Sequence, residues 1–395
     1  MEKYPISCYY INKKRIRKYY KIMEGILVNK INKLFKLGII LAILAVGIVL
    51  ITKTRTFGKI TVESWENIYN ENNIKFYYSE EDNEKIKALS NLYSISEEAK
   101  KIDDKLERAI EVSKLLKSII SYDVAEDAKG INGFDILRDK IGYSTASARD
   151  VAIIYRDFLQ SVGLKARVGE FRRTNASKIK QKSYFVVEFW SEKYSKWIMI
   201  DFINDGYFDN QGFPCSAIEV LEGNINALNY TGKKDIKKFN WRDKNINISD
   251  VLYTYTIAID NTTDMKQSNT YITYIKDVKD IVMQFKGKDI KPTIYTQNKE
   301  LINKNPLDKT IDNDEKAYLV LMKKEDSSYK GSENEYILGA FQNSKILKNY
   351  YVKLNNGEFN KIREYNDITL EKGLNTIELS LDGENTISKI ELNYK

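Results

Sequence analysis

Gly142-Tyr-Ser-Thr-Ala-Ser-Ala-Arg-Asp-Val-Ala152 runs through Ile153-Ile-Tyr-Arg-Asp-Phe-Leu159 to Gly163-Leu-Lys-Ala-Arg167. Val151, Ile154, Tyr155, Phe158, Leu159 and Val162 recur at the i, i+3, i+4, i+7 spacing of a helix with one core-facing stripe. Ser147 with Asp150 three residues on is an N-terminal capping signature, and Gly163 supplies the stop. Two aromatic-rich segments follow, Tyr184–Trp190 and Lys196–Phe202, joined by the polar stretch Ser191-Glu-Lys-Tyr-Ser195, and read as a strand pair. A helix feeding paired strands predicts an α+β fold.

Upstream, Ile86, Leu89, Leu92 and Tyr93, then Ile102, Leu106, Ile110, Val112, Leu115, Leu116 and Ile119, recur near the helical period between residues 80 and 122. Ser96 before Glu97 and Glu98 marks a helix start favoured by the helix dipole. Beyond about residue 235 the texture changes to alternation. Tyr253, Tyr255, Ile257 and Ile259 alternate with Thr254, Thr256 and Ala258, as do Ile377, Leu379 and Leu381 with Glu378 and Ser380, and Ile390, Leu392 and Tyr394 with Glu391 and Asn393. Asn356-Gly357 and Asp382-Gly383 supply turn residues. This pattern predicts one or two antiparallel β-sandwich modules of immunoglobulin type over residues 236–395.

Taken together, the central segments resemble the core of transglutaminase-like proteins, which are papain-type thiol enzymes. The family's nucleophile segment reads Gly-x-Cys-Arg-Asp-x-Ala, then an apolar helix, then Gly-Ile-Pro-Ala-Arg. Counting back from Gly163 sets Ala148 at its cysteine, followed by Arg149 and Asp150. Ser183-Tyr-Phe-Val-Val-Glu-Phe-Trp190 is similar to its His-Ala-Trp-Val-Glu-Val strand; matching Glu188 to the glutamate puts Tyr184 at the histidine, and a slip of one puts Ser183 there. Trp197-Ile-Met-Ile-Asp201 resembles Trp-Val-x-x-Asp-Pro, so Asp201 is the one triad member retained. Tyr207-Phe-Asp-Asn-Gln-Gly-Phe-Pro-Cys-Ser-Ala-Ile-Glu219 resembles the tract that follows the aspartate in bacterial members. The resemblance implies a papain-like α+β domain over residues 80–235.

The departures matter for chemistry. The chain has no histidine at all among its 395 residues. Thiol enzymes of this kind use a thiolate whose pKa is lowered by a helix N-terminus and an imidazolium, and a histidine that moves the proton. Alanine offers no lone pair, and no other side chain has an unperturbed pKa between 5 and 8. The degenerate positions Ala148, Tyr184 and Asp201 therefore predict a non-catalytic domain. The enzymatic alternative is an amidase or acyltransferase with a relocated nucleophile, Ser144, Ser147 or Cys215, acting with Asp201 or a lysine. Cys215 sits in a Gly-Phe-Pro-Cys-Ser turn and reads as an inert thiol.

Charge is uneven along the chain. Residues 1–53 hold 11 of the 63 Lys and Arg and 2 of the 55 Asp and Glu, leaving 52 basic and 53 acidic residues for the remainder. The net charge of +8 thus belongs to one end, and no nucleic-acid-binding face follows from it. From Leu37 to Thr52 runs LGIILAILAVGIVLIT without a charge, and Leu34 and Phe35 extend it to nearly the ~20 residues a bilayer requires. Ten Lys and Arg precede it. The positive-inside rule then places residues 1–36 in the cytoplasm and the chain after a 37–52 membrane span outside, with 53–79 as a linker. No small-x-small cleavage site follows the apolar run, which favours an anchor over a removed signal peptide. Cys8 and Cys215 would fall on opposite sides of the membrane, so no disulfide is expected between them.

No cofactor and no metal are expected: zinc would lack its usual ligands, and neither Asp312-Asn-Asp-Glu315 nor the Asp205–Asp209 tract matches an EF-hand. The expected binding groove comprises Tyr143, Ser147, Arg149, Tyr184, Trp190 and Trp197, beside the position of the family's cleft. The partners expected on this reading are the lipid bilayer, a cell-wall peptide or glycan, and an envelope protein.

Overall fold

A computed structural model describes residues 60–173, 183–234, 236, 248–283, 291–308, 310–324 and 334–395. The expected cytoplasmic lead and the 37–52 span lie outside these residues. Among the described residues no helix is long and apolar enough to cross a membrane. Residues 60–394 form one compact unit of mixed α and β structure.

In chain order the main elements are β1 (Ile60–Trp65), α1 (Glu84–Leu92), α2 (Ile95–Ala99), α3 (Lys105–Leu116), α4 (Gly133–Asp139), α5 (Ala148–Ser161), β2 (Ala166–Arg172), β3 (Ser183–Ser191), β4 (Lys196–Ile200) and β5 (Tyr207–Asn210). Then come α6 (Ala217–Glu222), β6 (Thr254–Ala258), β7 (Tyr271–Ile275), β8 (Thr293–Thr296), α7 (Lys299–Ile302), β9 (Tyr318–Lys323), β10 (Glu335–Gln342), β11 (Tyr350–Leu354), β12 (Gly373–Ser380) and β13 (Ser388–Tyr394).

All the helices but α2 start where polar side chains satisfy free backbone N–H groups. Asn83 caps α1, Asp104 caps α3, Asn132 caps α4 and Ser147 caps α5, while Ser216 and Glu219 close a full capping box on α6. Helix α5 turns at Gly163, whose φ of +80° suits glycine, straight into β2.

A ten-stranded sheet organises the unit. Its order is Lys345–Ile346, β10, β9, β8, β7, β6, β2, β3, β4, with Tyr365–Thr369 also pairing β10; β7 and β8 are parallel and the other pairs antiparallel. The pairing of Thr254, Tyr255, Thr256 and Ile257 with Arg172, Phe171, Glu170 and Gly169 carries this sheet across the expected boundary at 235/236. The two sequence regions thus share one sheet.

Alternation along the strands sorts the core into two faces. Phe185, Val187, Phe189, Ile198 and Ile200 pack with Val151, Ile154, Tyr155, Phe158 and Leu159 of α5 and with apolar residues of α1–α4. Tyr184, Val186, Met199, Phe171, Tyr255 and Ile257 face the other way, against α6, α7 and Phe208. At the far end of the sheet, Leu319, Leu321 and Leu338 pack against Val352, Ile377, Leu379, Ile390 and Leu392 of a second sheet, ordered β1, β13, β12, β11, Asn360–Ile362. This is sheet-on-sheet packing. One of its strands, β1, comes from the segment read as linker: Ile60 pairs with Tyr394 and Trp65 with Ile390.

Candidate functional site

The first residue of α5 is Ala148, so a methyl group stands at the position the sequence matched to a nucleophile. Its flanks serve the helix. Ser147 is buried, and its Oγ accepts from Asp150 N at 3.2 Å. The Asp150 carboxylate is wholly buried and accepts from Ala128 N at 2.7 Å and from Arg149 Nη1 at 2.8 Å. Burial raises its pKa, with Ala128 N–H and Arg149 opposing. Arg149 also donates to the carbonyls of Ala128 and Gly130 at 3.2 Å each. This serine, aspartate and arginine tie the helix start to the loop before α4.

Asp201, just past the end of β4, has no exposed surface and receives four hydrogen bonds. Oδ1 accepts from Tyr184 OH at 2.9 Å and Ile203 N at 3.1 Å; Oδ2 accepts from Asn204 Nδ2 at 2.8 Å and Tyr230 OH at 2.7 Å. Four donors nearly fill a carboxylate's lone-pair sites. Burial and then the neighbouring Asp201 charge push the Tyr184 phenol well above its ordinary pKa, so it stays a neutral donor. The pair matched to the family's histidine and aspartate is present as a closed tyrosine–aspartate clasp.

Ala148 belongs elsewhere. It packs with the α5-side cluster, whereas Tyr184 packs with the cluster on the opposite face. Strand alternation puts Ser183, the one-residue alternative, on the face of Phe185 and Val187 that α5 covers. Ser183 is itself buried.

The residues expected to form a groove are not gathered into one. Trp190 and Trp197 are buried and meet edge to face at 5.7 Å, and Trp197 Nε1 donates to Lys304 O at 3.0 Å. Tyr184, Ser147 and Arg149 are taken by the bonds above. Of the six, Tyr143 alone is well exposed, at 69 %. Aromatic strand residues that sequence reading offered to a ligand are instead used for packing.

Of the relocated-nucleophile residues, Ser147 is the cap described above and Cys215 is buried, whereas Ser144 is exposed and only its backbone carbonyl is bonded. Cys215 is buried, and burial, then the Glu219 charge, push its thiol up to about 11. Its backbone carbonyl accepts from Met199 N at 2.9 Å, tying the turn to β4. Ser144 lends its carbonyl to Ser121 N at 2.9 Å.

Sequence reading used Arg167 and Glu188 only as alignment markers and missed their part in the structure. Both are fully buried on adjacent strands. Glu188 Oε2 accepts from Arg167 Nε at 2.8 Å, Arg167 Nη2 at 2.6 Å and Tyr255 OH at 2.7 Å, and Oε1 accepts from Ala217 N at 2.8 Å. Arg167 Nη1 donates to Ile302 O at 2.8 Å, and its guanidinium lies 4.0 Å from the Trp197 ring centre. The signal available was an arginine and a glutamate inside apolar strands, where an unpaired charge would be costly.

On the α5-side face, Glu170 is opposed by burial but held ionised well below the usual carboxylate range by Arg172 and Lys291. Beside it, hydroxyls of Thr256, Thr273 and Thr293 form a chain at 2.9 and 2.8 Å. The crevice they line holds about 20 Å³, room for about one water molecule. Among the described residues no cluster of Cys, Asp or Glu is arranged to hold a metal ion. No protein-family model and no curated protein matches the chain.

Proposed function

We propose that this chain is a single-pass envelope protein whose transglutaminase-like, papain-type core and sandwich serve binding or structural purposes outside the cell, without catalysis. The observation that carries the reading is the Asp201 clasp. The aspartate that the resemblance matches to a triad member is filled by Tyr184, Tyr230, Asn204 and Ile203 N–H, and Ala148, at the matched helix start, packs with the cluster on the other face of the sheet, so the matched positions do not meet in one catalytic site. The relocated-nucleophile reading finds less support, because the Cys215 thiol is buried and raised in pKa and Ser147 is spent as a cap.

The envelope assignment rests on residues 37–52 as the bilayer span, with basic residues 1–36 in the cytoplasm. The ligand on this reading is a cell-wall peptide or glycan, with an envelope protein as the competing partner. Co-sedimentation of the full-length chain in detergent with insoluble wall material tests it. Retention on wall material, reduced by soluble wall fragments, is the expected result; recovery entirely in the supernatant would overturn the wall-binding form.

A further inference from the structure

The second sheet turns its apolar side chains inward, so alternation gives its outer face to polar ones. Lys353, Glu378 and Lys389 lie there in direct register across β11, β12 and β13. Lys353 pairs with Glu378 at 2.9 Å and Lys389 with Glu391 at 2.7 Å. Beside this row, the turn from Leu354 to Phe359 borders an open, shallow concavity of about 590 Å³.

The turn is pinned. Asn355 N donates to Thr376 O at 2.8 Å, Thr376 N donates to Asn355 Oδ1 at 2.9 Å, and Gly357 N closes the turn on Leu354 O at 3.0 Å. Asn355 holds a φ of 52°, which asparagine tolerates better than most residues. A concavity fixed this way need not be ordered when a ligand arrives.

Its chemistry is selective. Lys353 and Lys389 are balanced by Glu358 and Glu378 among the lining residues, so there is no net charge to attract an anion or a cation. The Asn356 amide, the Glu358 carboxylate and the Thr376 hydroxyl line the cavity and form no hydrogen bond or ion pair with another described residue. They present donors and acceptors together, which suits hydroxyl groups that both donate and accept. Phe359 lines the same cavity, with Lys353 Nζ 5.4 Å from its ring centre, and supplies an apolar surface at the rim.

We propose that this concavity on the outer face of the second sheet binds a neutral oligosaccharide. The proposal deepens the binding role assigned above, yet it stands on the second sheet alone and is independent of whether the core is inactive.

The test is saturation-transfer difference NMR on the full-length chain, with soluble hexamers of β-linked glucose and of N-acetylglucosamine, and inorganic triphosphate as the anionic control. Transfer to at least one hexamer is expected, weakened about tenfold or more when Asn356→Ala, Glu358→Ala and Thr376→Val are combined. These changes leave the Lys353–Glu378 pair and the strand ladder in place, and an unchanged melting temperature verifies the fold. Transfer to neither hexamer, transfer that survives the triple variant, or binding of triphosphate in preference to both would overturn the assignment. Wall co-sedimentation that persists in the triple variant would sink this site while leaving the envelope-binding reading intact.

Discussion

Tyr184 donates its phenolic proton to Asp201 Oδ1 across 2.9 Å, and both residues are buried. With Tyr230 on the other oxygen, the carboxylate is held as a joint between β3, the end of β4 and the strand at Asn229–Thr231. Tyr184→Phe keeps the ring and removes one donor, so the cost should be about 1–3 kcal/mol of stability. Tyr230→Phe should cost a similar amount, and the double variant should fall short of the sum, since the two phenols serve one carboxylate. Denaturant unfolding of the four proteins measures both quantities.

Gly169 and Tyr255 form a second tight pair. A Cβ added at Gly169 would stand 2.0 Å from the Tyr255 hydroxyl oxygen, which donates to Glu188. Gly169→Ala must therefore push Tyr255 off the buried Arg167–Glu188 pair, and should destabilise by about 1–3 kcal/mol or more. Adding Tyr255→Phe to Gly169→Ala removes part of the clash and should recover part of that loss, as read from melting temperatures.

The thiol of Cys215 gives a prediction in pH. Burial raises it to about 11, so at pH 8 its thiolate fraction is roughly two-hundredfold below that of a free cysteine. Iodoacetamide labelling, located by mass spectrometry of the peptides, should be slowed at Cys215 by at least that factor in the folded chain and restored in urea. The folded state favours the neutral thiol more than the unfolded chain does. This contribution to stability is complete below the unfolded pKa of about 8.5 and is lost as pH rises through 11.

The last strand should matter to the whole unit. β13 pairs with β1 on one side and β12 on the other, and Ile390 and Leu392 are buried between the sheets. Deleting Ser388–Lys395 should abolish the cooperative unfolding transition seen by circular dichroism rather than trim a terminus.

Local features were legible in the sequence. The Ser147 cap and the α5 stripe appear as read, and the strand pair falls at Ser183–Ser191 and Lys196–Ile200. Partners were not, because an alternation of period two tells which side chains share a face and leaves the neighbouring strand open. Thr254–Ala258 was legible as a strand, yet its pairing with β2 joins it to the sheet beneath α5. β1 was missed for a different reason: the register shift between Val62 and Ser64 breaks the alternation that would have betrayed it. The site followed the same rule. Trp190 and Trp197 signal an aromatic face, but only the stacking of Arg167 and the meeting of the two rings reveal that the face is internal.

The most direct measurement combines an amide-hydrolysis and amine-transfer assay of the full-length chain with labelling by thiol- and serine-directed electrophiles, followed by peptide mapping. The account predicts no turnover above background and no labelling of Ser144, Ser147 or Cys215 in the folded state. Turnover that disappears when one of these three residues is replaced, in a variant that still melts like the parent, would contradict it.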